Sequence, residues 1–291
     1  MKLLIIGKSG RLGSQLVKDS IAIGHDVISP SHQELDITNT TQFEQYIMTY
    51  KPDIVINTAA FNNLVKAEEQ PLEAFKINSI AVKEMAEVLH HLQPESTFIT
   101  FSTNYVFDGE LQRPLDEYDS VNPLQIYGLS KLAGEYASLS YNNSVIIRTS
   151  SIFGENSKYG NIVNRIIREE QTKQTNYIEV GNNEVISLTY AKDLSKAILQ
   201  LIEHKRFRKH LYNIYHLVNE GHCTRYQMTE EIFHDLDIKT EIIPVDRKGR
   251  TGRMRRPKFT ALENTNAKEL GIELPQWEDA LRRYLESKYQ I

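Results

Sequence analysis

Short apolar runs alternate along the chain with longer stretches whose apolar residues fall at helical spacing. Runs at 2–6 (KLLII), 26–29 (DVIS), 54–57 (IVIN), 98–102 (FITFS) and 145–150 (VIIRTS) read as strands. Between them the pattern predicts helices up to about Ala22, over 41–50 and over 71–92. Another is opened by the turn Asn122-Pro123 and carried by GLSKLAGEYASL. Uninterrupted apolar strands separated by helices indicate a parallel sheet covered on both faces, a Rossmann-type, doubly wound α/β fold. The second half alternates less regularly. Helices are expected at 160–171, 190–204, 225–236 and 276–288, and strands at 177–180, 212–218 and 241–245. No Gly/Ser- or Pro-rich linker divides the halves. Residues 151–291 are therefore expected to form a small C-terminal α/β lobe that returns some elements to the domain built by 1–150.

The first strand runs directly into Gly7-Lys8-Ser9-Gly10-Arg11-Leu12-Gly13 and then a helix. In that setting glycines let the backbone approach a pyrophosphate, and the helix N-terminus favours its charge. A tight strand–helix turn without a ligand is the plainer alternative. Ligands of a doubly wound sheet lie beyond the carboxyl ends of its strands. Gly7 to Gly13, Ala59-Ala60 and Thr103-Asn104 all fall at such ends and should converge. Asp36, after the second strand, can accept a hydrogen bond from an adenine amino group or serve as a turn residue. Ser29-Pro30-Ser31-His32 holds no acid of the kind that binds a ribose 2′-hydroxyl, and Arg11 stands in the glycine loop. This leans toward NADPH, with NADH as the alternative.

Tyr127 and Lys131 lie four residues apart on the helix after Pro123, so phenol and ammonium share one face. A phenol of pKa about 10 is a weak acid at neutral pH. A cation about 4 Å away contributes on the order of 4 kcal/mol at an effective dielectric of about 20, roughly three pKa units. Tyr127 is therefore expected near neutrality unless desolvation cancels the gain. The hydroxyl of Thr103 can address the same substrate oxygen.

Composition narrows the field. The chain has 291 residues, 40% hydrophobic and 25% charged, with a net charge of −4. Nothing in that balance draws it to nucleic acid or to a membrane surface. Cys223 is the single cysteine, which excludes an intrachain disulfide and a cysteine metal cluster and suits a reducing, cytoplasmic setting. The histidines show no metal-ligand spacing, and no metal is expected. Of two basic stretches, 204–210 reads as a solvated helix end. The denser 247–258, with Arg250, Arg253, Arg255 and Arg256, is suited to gripping a diphosphate.

With these residues in place, the chain resembles the extended short-chain dehydrogenases/reductases, and more narrowly the dTDP-4-dehydrorhamnose reductase family. The resemblance runs through GKSGRLG (7–13), LDIT (35–38), INTAA (56–60), KAEEQP (66–71), STNYVFDG (102–109), NPLQIYGLSKLAGE (122–135), RTSSIFG (148–154) and RRPKF (255–259). It implies NADPH- or NADH-dependent reduction at C4 of a nucleotide-linked 4-keto-6-deoxyhexose, with room for a homodimer. Tyr127 would protonate the oxygen, Lys131 would tune Tyr127 and hold the nicotinamide ribose, and Thr103 would hydrogen-bond the oxygen. Gly7, Gly10, Arg11, Leu12 and Gly13 match the pyrophosphate loop, Asp36 and Ile37 the adenine contacts. Ala59, Ala60, Phe61 and Asn62 match a cofactor-binding strand end; Asn104, Ser151 and Arg256 fall on the substrate side. Four positions depart from the family pattern: Val65 and Asn104 replace Asp, Ser151 replaces Trp, and Ile186 stands where the pattern has Gly. The departures point to an altered sugar. A non-catalytic NADP-binding subunit and a nucleotide-sugar epimerase or dehydratase are the competing readings.

Overall fold

The computed structural model describes residues 1–155, 160–205, 212–246, 250–251 and 254–289. The first half runs β1 (Lys2–Ile6), α1 (Arg11–Ala22), β2 (Asp26–Ile28), α2 (Thr40–Tyr50), β3 (Ile54–Asn57) and α3 (Leu64–Glu69). It continues with α4 (Pro71–Phe75), α5 (Ala81–Leu92), β4 (Thr97–Thr103), α6 (Ile126–Ser138) and β5 (Ser144–Thr149). The second half begins with β6 (Ile152–Phe153), α7 (Ile162–Thr172), β7 (Tyr177–Gly181), β8 (Val185–Ile186), β9 (Thr189–Tyr190) and α8 (Ala191–Glu203). Then come β10 (Ile214–His216), β11 (Cys223–Thr224), α9 (Arg225–Asp235), β12 (Glu241–Val245), β13 (Arg250–Thr251) and β14 (Met254–Arg255). The chain ends with β15 (Phe259–Thr260), α10 (Thr265–Lys268) and α11 (Trp277–Tyr289).

Six strands form one parallel sheet in the order β10-β5-β4-β3-β1-β2. The order reverses between β1 and β3, and a crevice opens there beyond the carboxyl ends of the strands. Both faces of the central strands are buried, which is why β1 and β3 run apolar over successive positions rather than alternately. One face packs Leu3, Ile5, Ile56, Ile99 and Ile147 against α1 and α8. The other packs Leu4, Val55 and Phe98 against Phe43 of α2 and Val82, Met85, Ala86 and Leu89 of α5. These α5 positions fall at helical spacing, so the helix turns a single stripe to the sheet. A separate core in the second half of the chain is built from Phe153, Ile166, Val180, Tyr190, Met228, Trp277 and Tyr284.

Two expectations need correction. The helix expected over 71–92 contains a π turn at Lys76–Ile80. There α6 comes so close that a Cβ on Gly134 would lie 2.1 Å from the Asn78 carbonyl oxygen. The strand expected over 212–218 is ordered as strand only at Ile214–His216: the Leu217 amide still donates to Arg148 of β5, but the Val218 amide turns to the Asn264 side chain. The helix opened by Pro123 starts at Ile126, where the Gln125 side chain accepts from the Gly128 amide and caps it.

Candidate active site

A cleft of about 770 Å³ lies between the carboxyl ends of the central strands and the lobe. It collects most of the residues singled out in the sequence: Gly10, Arg11, Leu12, Gly13, Ala60, Asn62, Thr103, Asn104, Tyr127, Lys131, Ser151 and Arg256. Gly7 lies just beneath: a Cβ on Gly13 would fall 2.2 Å from the Gly7 carbonyl oxygen, so strand end and helix start can touch only as glycines. No side chain caps α1. Its first amides therefore face the cleft as a donor set suited to a pyrophosphate.

Ala59, Phe61, Asp36 and Ile37 are not among the cleft-lining residues. The Phe61 amide and carbonyl are both bonded to the buried Asn78 side chain, at 2.8 and 3.0 Å. Asp36 accepts from the Thr38 amide and hydroxyl at 2.9 and 3.0 Å, a turn role, and Ile37 is buried in the core beside α2. The Arg11 guanidinium donates to the Gly160 carbonyl of the lobe. Lys8 of the same glycine turn lies 3.7 Å from Glu34, which follows β2. Arg253 and the side chain of Arg250 lie outside the described residues, as does most of the basic stretch 204–210.

At the centre, Tyr127 and Thr103 line the cleft together, and the Thr103 hydroxyl donates to the Asn104 side chain at 3.2 Å. The Tyr105 ring stands edge-on to Tyr127 at 6.2 Å. Burial pushes the Tyr127 phenol up to about 12; the Thr103 side chain pulls it partly back. The expectation of a phenol near neutrality is thus not met in the free protein, because the neutral form is favoured wherever water is excluded. The same burial pushes Lys131 down to about 8, opposed by the Glu135 carboxylate one turn on. Glu135 itself grips Arg148 of β5 in a buried, two-pronged ion pair, at 3.0 and 2.7 Å. Asn104 donates to Thr260 at 2.8 Å and so fixes the loop after β4 against β15. Ser151 holds its backbone at φ +40°, a strained conformation at the mouth of the cleft.

Several residues of the site carried no sequence signal. Asn78 donates to Ser130 of α6 at 3.0 Å while holding Phe61, and Ser130 donates to the Tyr127 carbonyl at 2.8 Å. One amide thus joins the β3 end to the helix that carries Tyr127. On the lobe side the cleft is lined by Arg165, Glu169, Glu184, Arg225 and Arg256. Arg225 donates to Glu169 at 2.7 Å, and Arg256 pairs with Glu184 at 3.4 Å. The i,i+4 spacing of Arg165 and Glu169 reads equally well as an exposed helix face. Away from the cleft, Glu231, His234 and Asp235 come together, and Arg282 is shared between the two carboxylates at 3.5 and 3.6 Å. Among the described residues no helix is long and apolar enough to cross a membrane.

Comparison with known proteins gives a consistent result. The profile of the RmlD substrate binding domain matches residues 1–290. The spore coat polysaccharide biosynthesis protein SpsK of Bacillus subtilis (strain 168) is 31% identical over 288 residues, covering 99% of this chain and 98% of its own. The crystal structure of a dTDP-4-dehydrorhamnose reductase from Clostridium acetobutylicum superposes with a TM-score of 0.90 at 31% identity, covering 100% of both chains. That of dTDP-4-dehydrorhamnose reductase from Bacillus anthracis, in complex with NADP, gives 0.89 at 29% identity over 99% of each.

Proposed function

The chain belongs to the RmlD substrate binding domain family, and we propose that it reduces the C4 keto group of a nucleotide-linked 4-keto-6-deoxyhexose with NADPH. The default substrate is dTDP-4-dehydro-L-rhamnose. The observation that carries the reading is that Thr103, Tyr127 and Lys131 line the same cleft as the uncapped start of α1. The bound cofactor supplies hydride to the carbonyl carbon. Tyr127 holds the proton that the resulting alkoxide requires, and at about 12 the phenol is fully protonated at neutral pH. Thr103 donates to the oxygen as its charge develops, and Lys131 supplies a positive field at the phenol. Gly10 to Gly13 hold the pyrophosphate, and Ala60 and Asn62 border the cofactor side. Arg256 and Arg165 offer guanidinium groups to the diphosphate of the sugar nucleotide. We place the enzyme in the cytoplasm, where both nucleotides are made.

One observation favours a related sugar over rhamnose itself: Val65, Asn104, Ser151 and Ile186, the four departures from the family pattern, all line the cleft. Loss of an aromatic wall and of carboxylates changes what the pocket grips without touching the proton-transfer group. The deciding experiment follows NADPH consumption with dTDP- and UDP-linked 4-keto-6-deoxy sugars, alongside Tyr127→Phe. Stoichiometric oxidation that is lost in the variant is expected. Turnover of dTDP-4-dehydro-L-rhamnose assigns the default substrate, whereas turnover of a UDP sugar alone assigns the second reading. Tight NADPH binding without oxidation of any sugar overturns both in favour of a non-catalytic subunit, and cofactor recycled without net oxidation indicates an epimerase.

A further inference from the structure

The lobe wall of the cleft is charged in pairs. Each of its two glutamates holds an arginine: Glu169 takes Arg225 at 2.7 Å, and Glu184 lies 3.4 Å from Arg256. The second pair is fixed by backbone on both sides. Glu184 directly precedes β8, whose Val185 amide donates to the Lys258 carbonyl at 2.7 Å. β8 runs parallel to β15 with Val185 opposite Phe259. Arg256 stands two residues before Lys258, and the loop after β4 presses on the same segment: a Cβ on Gly109 would fall 2.7 Å from Pro257. The two backbones are therefore held, and only the side chains can part. Both are partly buried, 31% and 27% exposed, so their attraction is screened less than that of a surface pair. The pair also stands near the reacting centre. Burial raises the Tyr105 phenol, while Arg256 and Glu184 act on it in opposite directions, and the Tyr105 ring is edge-on to Tyr127. One aromatic ring thus lies between the pair and Tyr127, as one pyranose ring lies between C4 of a sugar and the phosphate at C1.

On the proposed reading of this cleft as a nucleotide-sugar site, we propose that Glu184 is an internal competitor for the substrate's diphosphate. In the free protein its carboxylate occupies the guanidinium that the diphosphate needs. Phosphate oxygens must take Arg256 from Glu184 on entry, and the ladder between β8 and β15 keeps the displaced carboxylate close by. Glu184 takes the arginine back as the product leaves. The pair therefore weakens the binding of substrate and product alike, and it shortens the time that the product stays. Glu184 touches no reacting atom; it acts through Arg256.

The test is equilibrium binding of dTDP and of UDP to the NADPH-loaded protein, read by calorimetry, for the wild type, Glu184→Gln, Arg256→Gln and the double variant. Gln keeps the length of Glu, and both side chains reach solvent, so folding is spared. A unit charge removed beside a partly screened phosphate changes affinity by about tenfold. Glu184→Gln is expected to tighten binding of the nucleoside diphosphate by about that factor, mainly through slower dissociation, with NADPH affinity unchanged. Arg256→Gln is expected to weaken it as much. In the Arg256→Gln background the gain from Glu184→Gln should shrink to about two- or threefold, because no arginine is left to release. Unchanged or weaker binding by Glu184→Gln overturns the proposal. So does an equal gain with and without Arg256, or an equal gain for NADPH, since Glu184 would then be only a remote charge. Binding of neither nucleotide by any of the four proteins overturns the nucleotide-sugar reading of the cleft itself, a distinguishable result.

Discussion

Lys131 is a cation in a place that disfavours cations, and on its proposed role beside Tyr127 its protonation sets the working pH range. It is charged below about 8 and loses its charge above. Because the positive field at Tyr127 disappears with it, kcat/KM is expected to fall through an alkaline limb near pH 8, about tenfold per unit beyond. A profile flat to pH 10 would show that the ammonium plays no part. The Glu135 carboxylate is the charge that keeps Lys131 protonated, and Arg148 depends on it too. Glu135→Gln should move the alkaline limb to lower pH. It should also cost about 3–5 kcal/mol in urea denaturation, since Arg148 is left buried without its partner. The Tyr127–Lys131 pair was legible in the sequence because i,i+4 spacing is a local property. The ion pair between residues 135 and 148 was not, and neither was the burial that raises Tyr127. Both depend on which groups the fold removes from water.

At the scale of elements, the contact of α6 with the π turn is the joint on which the site hangs. The turn presents the Asn78 side chain to Phe61 and Ser130 while its carbonyl meets Gly134. Gly134→Ala inserts a methyl at 2.1 Å from backbone that cannot swing aside as a flexible side chain would. The expected loss is about 1–3 kcal/mol, measured as a lowered Tm, with kcat reduced because α6 carries Tyr127 away from the β3 end. An unchanged Tm would mean that the two helices part freely. The long strands and helices of the first half were legible because apolar runs and helical stripes are strong periodic signals. The π turn left no trace, since its residues continue the helical pattern of α5. The two-residue strands of the lobe were equally silent, because their pairing partners lie far away in sequence: β8 pairs with β11 and β15.

Across the whole molecule, a buried polar cluster joins the segment after β4 to β10. Glu117 accepts from the amides of His216 and Asn266 at 2.8 and 3.2 Å, and the His216 ring contacts the carbonyls of Leu115 and Glu263. Burial pushes Glu117 up to about 7 and His216 down to about 3. A raised carboxyl stabilises the fold below its unfolded pKa of about 4.3, and the benefit is lost as pH climbs to about 7. The depressed imidazole works the other way, and its contribution is lost as pH falls from about 6.5 to 3. Between about pH 4.5 and 6.5 the slopes oppose each other. Glu117→Gln keeps an acceptor for both amides and removes one slope. Its stability should therefore rise with pH across that window, by up to about 3 kcal/mol relative to the wild-type trend. Parallel wild-type and variant curves would place the titration elsewhere. The alternation in the sequence was enough to anticipate a parallel sheet, but not that β10 would close its edge beside β5. That borrowed strand has a consequence for descent and for engineering. A single crossover near residue 150 yields no transferable lobe: it strips the neighbouring half of its edge strand and leaves β5 open to intermolecular pairing. Substrate range in such a chain is reshaped residue by residue along the cleft wall, and any graft must cut the chain on both sides of β10.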